Sequence, residues 1–253
     1  MATRVIVDAG HGGWDNGAMY DGRKEKDDTL KLAFEVGKQL EKQGIDVVYT
    51  RTDDRFQSPN EKARIGNASG ADFFLSLHRN ASPMANQYAG VQTLLYNDGD
   101  IKEVLANNIN KELEEVGFDN LGRSIRPNLA VLRRTNMPSV LVEVGFINTD
   151  SDNKIFDEKF DEVAKAIADG VVETITPEQG KGVTYQIQVG LFRNYMNAQR
   201  LAEELSGMGY TVKIKKVNEY YAVLVGRFTD MNRAERIETI LLEDGYDTWI
   251  VAY

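Results

Sequence analysis

Only two histidines occur in the 253 residues, and both stand where a site would need them. His11 lies in Asp8-Ala9-Gly10-His11-Gly12-Gly13 and His78 in Ser76-Leu77-His78-Arg79-Asn80. Each follows an apolar run of strand character, Val5-Ile6-Val7 for the first and Phe73-Phe74-Leu75 for the second. A third run, Val140-Leu141-Val142, ends at Glu143. Three strands thus deliver two imidazoles and a carboxylate to their ends, and open α/β sheets build their sites at the carboxyl ends of strands. Two imidazoles plus a carboxylate suit a catalytic zinc ion with one open position. A further ligand-type carboxylate, Glu25, follows His11 in Gly22-Arg23-Lys24-Glu25-Lys26-Asp27. Gly12, Gly13, Gly17 and Gly22 predict a loop flexible enough to fold it back. Either histidine alone could be an ordinary packed residue; their shared position past buried strands favours ligation. A carboxylate ending an apolar run is costly to bury unless it is paired, metal-bound or catalytic. The ion-pair alternative for Glu143 has Arg123, Arg126, Arg133 and Arg134 as candidate partners.

The elements that must hold these residues alternate between strand and helix. Val5–Val7 reads as a strand. Residues 27–43 carry Leu30, Ala33, Phe34, Gly37 and Leu40 at helical spacing, and Gly44 supplies a stop. Residues 45–50 form the next strand, followed by a helix around 60–66, a strand at 73–77 and another near 91–96. A helix at 101–116, strands at 129–132 and 140–142, and a closing helix at 158–174 complete the series. Such alternation predicts helices on both faces of a mostly parallel, twisted sheet, an α/β fold.

Thr176-Pro177-Glu178-Gln179-Gly180-Lys181-Gly182 breaks the pattern and reads as a linker. We therefore expect a catalytic domain at 1–176, a linker at 177–183 and a small domain at 184–253. The small domain repeats itself at an offset of 36 residues: Tyr185, Val189, Gly190, Phe192, Ala198, Arg200, Leu205, Gly209, Tyr210 and Ile214 recur at 221, 225, 226, 228, 234, 236, 241, 245, 246 and 250. Each half reads strand, helix, strand, which predicts a βαββαβ sandwich of ferredoxin-like type. Alternation puts Ile187 and Val189 towards the helices and Gln188 on the open face, with Trp249 and Tyr220 or Tyr221 flanking the same surface.

A net charge of -9 argues against a nucleic-acid partner. The absence of cysteine excludes a thiol nucleophile, a disulfide framework and a Cys-ligated zinc. No apolar run approaches the ~18 residues of a membrane span, so no membrane partner is expected. Met1-Ala2-Thr3-Arg4 runs straight into the first strand, leaving no room for a signal peptide. The chain is expected to be a monomer made in the cytoplasm.

The segments DAGHGGWDNGAMYDGRKEKD, SLHRNA and MPSVLVEVGFINT closely resemble the zinc-dependent N-acetylmuramoyl-L-alanine amidases, across residues 4–175. The resemblance implies that His11, Glu25 and His78 bind one Zn2+ per chain and that Glu143 is the catalytic acid/base. It implies hydrolysis of the amide joining the lactyl group of N-acetylmuramic acid to L-alanine in bacterial peptidoglycan. Residues 184–253 resemble the SPOR domain, which implies binding of glycan strands stripped of stem peptides, with Gln188, Tyr220 and Trp249 as the contact residues. Asp8 is the candidate to orient a ligand histidine, with a strand-end turn role as an equal alternative, and Asn80 is read either as holding substrate backbone or as capping a turn. Arg79 replaces the small residue expected there and is placed at the site mouth, where it would bear on peptide preference. The stretch from Asn80 to Gly90 is too short for the inserted helix that silences some members, so the site is expected to stand open. The enzyme would reach the wall through phage-type membrane holes or mother-cell lysis. The alternatives are a catalytically silent wall-binding protein and a zinc carboxypeptidase acting on stem peptides.

Overall fold

The computed structural model describes residues 3–175, 184–228 and 231–252; the expected linker lies outside them. The described elements belong to two compact units. In the first, β1 (Arg4–Ala9), β4 (Asp46–Tyr49), β5 (Phe73–Asn80), β6 (Val91–Leu95), β7 (Asn120–Ile125) and β8 (Ser139–Phe146) form one sheet in the order β4-β1-β5-β8-β6-β7. Every neighbouring pair is parallel except β6 with β8. A separate two-stranded ribbon, β2 (Met19–Tyr20) with β3 (Arg23–Lys24), precedes the first helix.

The sheet is buried on both sides, which explains its continuous apolar runs. Ile6, Phe74, Leu94 and Leu141 point to one face and pack with Val131 and Leu132, with Ile65 of α2 (Pro59–Ala68) against them. On the other face α3 (Asp100–Val116) meets α6 (Phe160–Ile175) so closely that a Cβ on Gly170 would lie 2.6 Å from Ile109 Cα. Helix α2 begins as expected of its sequence: Ser58 caps it by accepting from Glu61 N at 3.2 Å, and Pro59 follows.

Three expectations need correction. The apolar run 129–132 is not a strand. Its residues 130–133 form a single helical turn, α4 (Ala130–Arg133), and four apolar residues fit either form until packing decides. The closing helix is α6, as expected, but the stretch before it, read without an element, forms a further helix, α5 (Asp150–Glu158). The loop before Glu25 is not loose: Asp21 and Gly22 both have positive φ, the two-residue hairpin turn that joins β2 to β3.

The second unit carries β9 (Tyr185–Phe192), α7 (Tyr195–Gly207), β10 (Val212–Val217), β11 (Tyr220–Phe228), α8 (Met231–Glu243) and β12 (Trp249–Ala252). Its strands form an antiparallel sheet in the order β10-β11-β9-β12. Ile187, Val189, Val223 and Val225 face the helices and are buried with Ala198, Leu205, Ala234, Ile237 and Leu241.

Candidate metal centre and active site

The site forms where β1 and β5 end and α1 (Glu25–Lys42) begins. After β1 the backbone turns sharply, with Gly10 N donating to Leu77 O at 3.0 Å. His11 adopts a φ of 58°, a left-handed conformation that costs a non-glycine residue roughly 1–2 kcal/mol. Strain of this kind persists where a site requires it. His78 comes from β5, and Glu25 is the first residue of α1, where the helix dipole favours a carboxylate. Its two oxygens are divided: Oε2 lies 3.0 Å from His11 Nε2, and Oε1 lies 2.8 Å from His78 Nδ1. The amides of Ala18 and Arg79 donate to the same two oxygens at 2.9 and 3.0 Å. One ligand atom from each of His11, Glu25 and His78 lies within 4.8 Å of the others.

Two glycines allow this approach. A Cβ on Gly10 would lie 2.6 Å from the His78 ring. At Gly17, φ is +66° and a Cβ would stand 2.5 Å from both Glu25 Oε2 and His11 Cδ2. Side chains of any size at either position would push the ligands apart.

Glu143 is placed by the sheet, since its Cα pairs in register with His78 on β5 and with Gln92 on β6. Its Oε2 is buried with no hydrogen-bond partner. Burial pushes its carboxyl up to about 7, against the pull of the histidines. No ion pair to it is found among the described residues, and Arg123 pairs instead with Asp98 and Glu103. An unpaired buried carboxylate is costly, and a site that needs a proton acceptor at neutral pH is a reason to keep one.

The remaining charges follow from their contacts. Burial works against charging His11, but Glu25 and Asp15 outweigh it and hold the imidazole at about 9. Burial likewise opposes the charge on Glu25, yet hydrogen bonds from both histidines hold its carboxyl well below the usual range. A cation bound here therefore displaces a proton from His11.

Asp8 does not orient a histidine. It is fully buried behind the site, accepting from Thr50 Oγ1 at 2.6 Å, Ser76 Oγ at 2.7 Å and Lys62 Nζ at 2.8 Å. The orienting group is Asp15, whose Oδ2 lies 2.9 Å from His11 Nδ1. Its place four residues after His11, across a glycine turn, was the available signal. Arg79 is not at the site mouth. Strand alternation turns it away from His78, and its side chain is fully buried, bonding Asp28 at 2.8 Å and Asn153 at 2.8 Å and lying 4.1 Å over the Phe156 ring. Only its backbone amide serves the site. Asn80 Oδ1 accepts from Ala81 N at 2.8 Å and caps the turn that leaves β5. Residues 81–90 join β5 to β6 without a helix.

Sequence reasoning also missed Arg51. Its buried guanidinium donates to Ala9 O, Gly10 O and Lys26 O at 2.9–3.1 Å, tying the His11 turn to the start of α1. In the C-terminal unit, Trp249 is 70% exposed and pairs in register with Gln188. Tyr220 accepts from Arg193 Nε at 3.2 Å and alternates with Ala222 and Leu224, of which Leu224 pairs in register with Gln188; Ala222 and Leu224 are themselves buried.

Residues 5–173 match the family described as N-acetylmuramoyl-L-alanine amidase, and residues 181–252 match the SPOR domain. The chain belongs to the N-acetylmuramoyl-L-alanine amidase family. It is 32% identical to N-acetylmuramoyl-L-alanine amidase CwlM of Bacillus licheniformis over 218 residues, 82% of this chain and 83% of that one. It is 34% identical to the endolysin of Bacillus phage SPP1 over 72% of this chain and 69% of that one. Among solved structures, the N-acetylmuramoyl-L-alanine amidase of Clostridium difficile 630 aligns with a TM-score of 0.66 at 35% identity, covering 70% of this chain and 98% of that one. The amidase match spans all four residues singled out for metal binding and catalysis.

Proposed function

We propose that the chain is a zinc-dependent N-acetylmuramoyl-L-alanine amidase, cleaving the amide between the lactyl group of N-acetylmuramic acid and the L-alanine of the stem peptide. The observation that carries this reading is the convergence of His11, Glu25 and His78 within ligand distance of one another, beside a buried and unpartnered Glu143 oxygen. Two nitrogens and one carboxylate oxygen on a half-buried floor are the donor set of a catalytic zinc with an open position. Zinc held by these three residues supplies Lewis acidity at the scissile carbonyl and lowers the pKa of a bound water. Asp15 holds the proton on His11 Nδ1 and so presents Nε2 as a lone-pair donor. Glu143 takes a proton from the attacking water and passes it to the departing L-alanine amine, leaving a lactyl carboxylate and a free peptide. Mass analysis of digested peptidoglycan tests the bond: new L-alanine amino termini are expected, whereas loss of carboxy-terminal residues would mark a carboxypeptidase.

The purified chain is expected to hold one zinc. His11→Ala should lose it, and Asp15→Ala should weaken binding by about 10–100-fold against a competing chelator. Full occupancy in His11→Ala would overturn the ligand assignment.

The SPOR module is proposed to hold the enzyme on stripped glycan through the face bearing Gln188, Trp249 and Tyr220. A tether acts by raising local concentration, so it matters least on soluble substrate. Deleting 184–253 should therefore leave hydrolysis of small muropeptides near that of the full chain and weaken action on intact wall. With 8 basic and 9 acidic residues in 184–253, binding should resist moderate salt, and its collapse there would contradict this account. A phage endolysin and a sporulation-specific amidase among the relatives support release to the wall by lysis.

A further inference from the structure

We propose that Trp14 is a stacking platform for a pyranose ring of the glycan strand at the rim of the amidase site, an inference that rests on the amidase reading. Trp14 is 75% exposed, and an indole offers one of the largest apolar faces a side chain can present to a ligand. It is not a loose side chain. Gly12 and Asp15 exchange backbone hydrogen bonds at 3.0 and 3.2 Å, which makes Gly13 and Trp14 the tip of a tight turn. The turn starts directly after a metal-ligand candidate, His11, and ends at the residue that orients it, Asp15. Three residues of chain reach at most roughly 11 Å, so whatever lies on Trp14 is within about a sugar unit or two of the reacting bond.

The turn is clamped from below. A Cβ on Gly12 would stand 2.2 Å from Arg55 O, and one on Gly13 would stand 2.5 Å from Phe56 N. The Phe56 ring stacks on the indole at 4.1 Å between centroids, with 28° between planes. One face of Trp14 is thus covered and its orientation held. An aromatic face is electron-rich, and it receives the weakly positive C–H bonds along the flat side of a sugar ring.

The surrounding charges choose between a sugar and a charged peptide group. Lys26 pairs with Asp54 at 2.7 Å, Arg55 with Asp53 at 2.5 Å, and Asp15 with His11. Each of these charges has its partner within the protein, which leaves paired charges around the indole. That suits an uncharged ring better than an ionised stem-peptide group.

Trp14 and Trp249 are the two tryptophans of the chain. In full-length Trp249→Phe protein, fluorescence reports Trp14 alone. Soluble glycan strands freed of peptide should change that emission saturably, and isolated stem peptide should not. On intact wall, Trp14→Ala should raise KM roughly five- to tenfold with kcat little changed, the size expected of one aromatic stacking contact. Trp14→Tyr should recover most of the loss, and the melting temperature should stay near that of the parent. Unaltered emission with glycan, a response to peptide alone, or a fall in kcat that tracks lost stability would each overturn the proposal. Release of L-alanine-led peptides by the parent enzyme is scored separately: its absence defeats the amidase reading, whereas its presence with equal KM in Trp14→Ala defeats only this one.

Discussion

Replacing Glu143 with Gln is expected to lower turnover by about 10²–10⁴-fold while leaving the zinc content unchanged. The substitution keeps the shape of a side chain whose Oε2 touches no partner, so no existing hydrogen bond to that atom is broken. What it removes is the ability to accept a proton. The pH profile adds a second test. Burial raises the carboxyl to about 7 in the metal-free chain, and a nearby cation favours the carboxylate and draws that value down. Activity should rise with pH along a limb at or below about 7, and that limb should vanish in Glu143→Gln. The linkage to folding runs the other way. Because the folded value is raised, the stability it confers is fully present below the unfolded value near 4.5 and is lost as pH rises through about 7. The metal-free protein should therefore melt at lower temperature at pH 8 than at pH 5 by this contribution, and the difference should shrink in the variant. Near-normal turnover in Glu143→Gln would make the residue structural.

Asp8→Asn is expected to destabilise the catalytic unit by about 3–5 kcal/mol, because it leaves the Lys62 ammonium buried without its counter-charge. Lys62 Nζ touches Asp8 and Ala9 O, and both side chains are almost wholly buried. Burial alone would raise the Asp8 carboxyl, but Lys62 and the hydroxyls of Thr50 and Ser76 outweigh it and hold the value below the usual range. A depressed folded value means that the stabilisation is present above the unfolded value near 3.8 and fades as pH falls through the folded one. Urea unfolding should thus show a large penalty at pH 7 and a smaller one near pH 2. Adding Lys62→Met should restore much of the loss, since it removes the stranded charge. A penalty under about 1 kcal/mol at pH 7 would show that the pair is not the buried strut described here.

What was legible in the sequence followed from backbone periodicity. His11, His78 and Glu143 could be placed because each ends an apolar run, and strands aim such ends at one edge of a sheet. Gln188 and Trp249 could be put on one face because alternation has a period of two. The same rule, applied to β5, turns Arg79 away from His78 and into the buried contact with Asp28. Glu25 depended on the resemblance, because it is brought to His11 by a hairpin turn and a helix start rather than by a strand. Arg51 and Lys62 look like any surface cations in sequence, and only tertiary partners far along the chain bury them. Strand β7 escaped because it is mostly exposed and polar, an edge strand without an apolar signature. Asp15 carries no strand-end signal, because the Gly12–Asp15 turn brings it to His11, whereas Asp8 lies at a strand end but is taken by Thr50, Lys62 and Ser76.

The strand order of the C-terminal module interlocks the two copies of its repeat. One copy of the repeat supplies β9 and β10, the other β11 and β12, yet β10 pairs with β11, β12 with β9, and β9 with β11. Every ladder in the sheet joins one copy to the other, and neither copy pairs a strand with itself. The two copies of the repeat are therefore interlocked, and neither closes a sheet with its own strands. A two-fold object would greet a linear chain identically from either end. This face has lost that equivalence: at the repeat offset of 36, Trp249 stands opposite Lys213 and Gln188 opposite Leu224. A symmetric scaffold thus carries an asymmetric surface, the property a binder needs if it is to tell one direction of a glycan from the other.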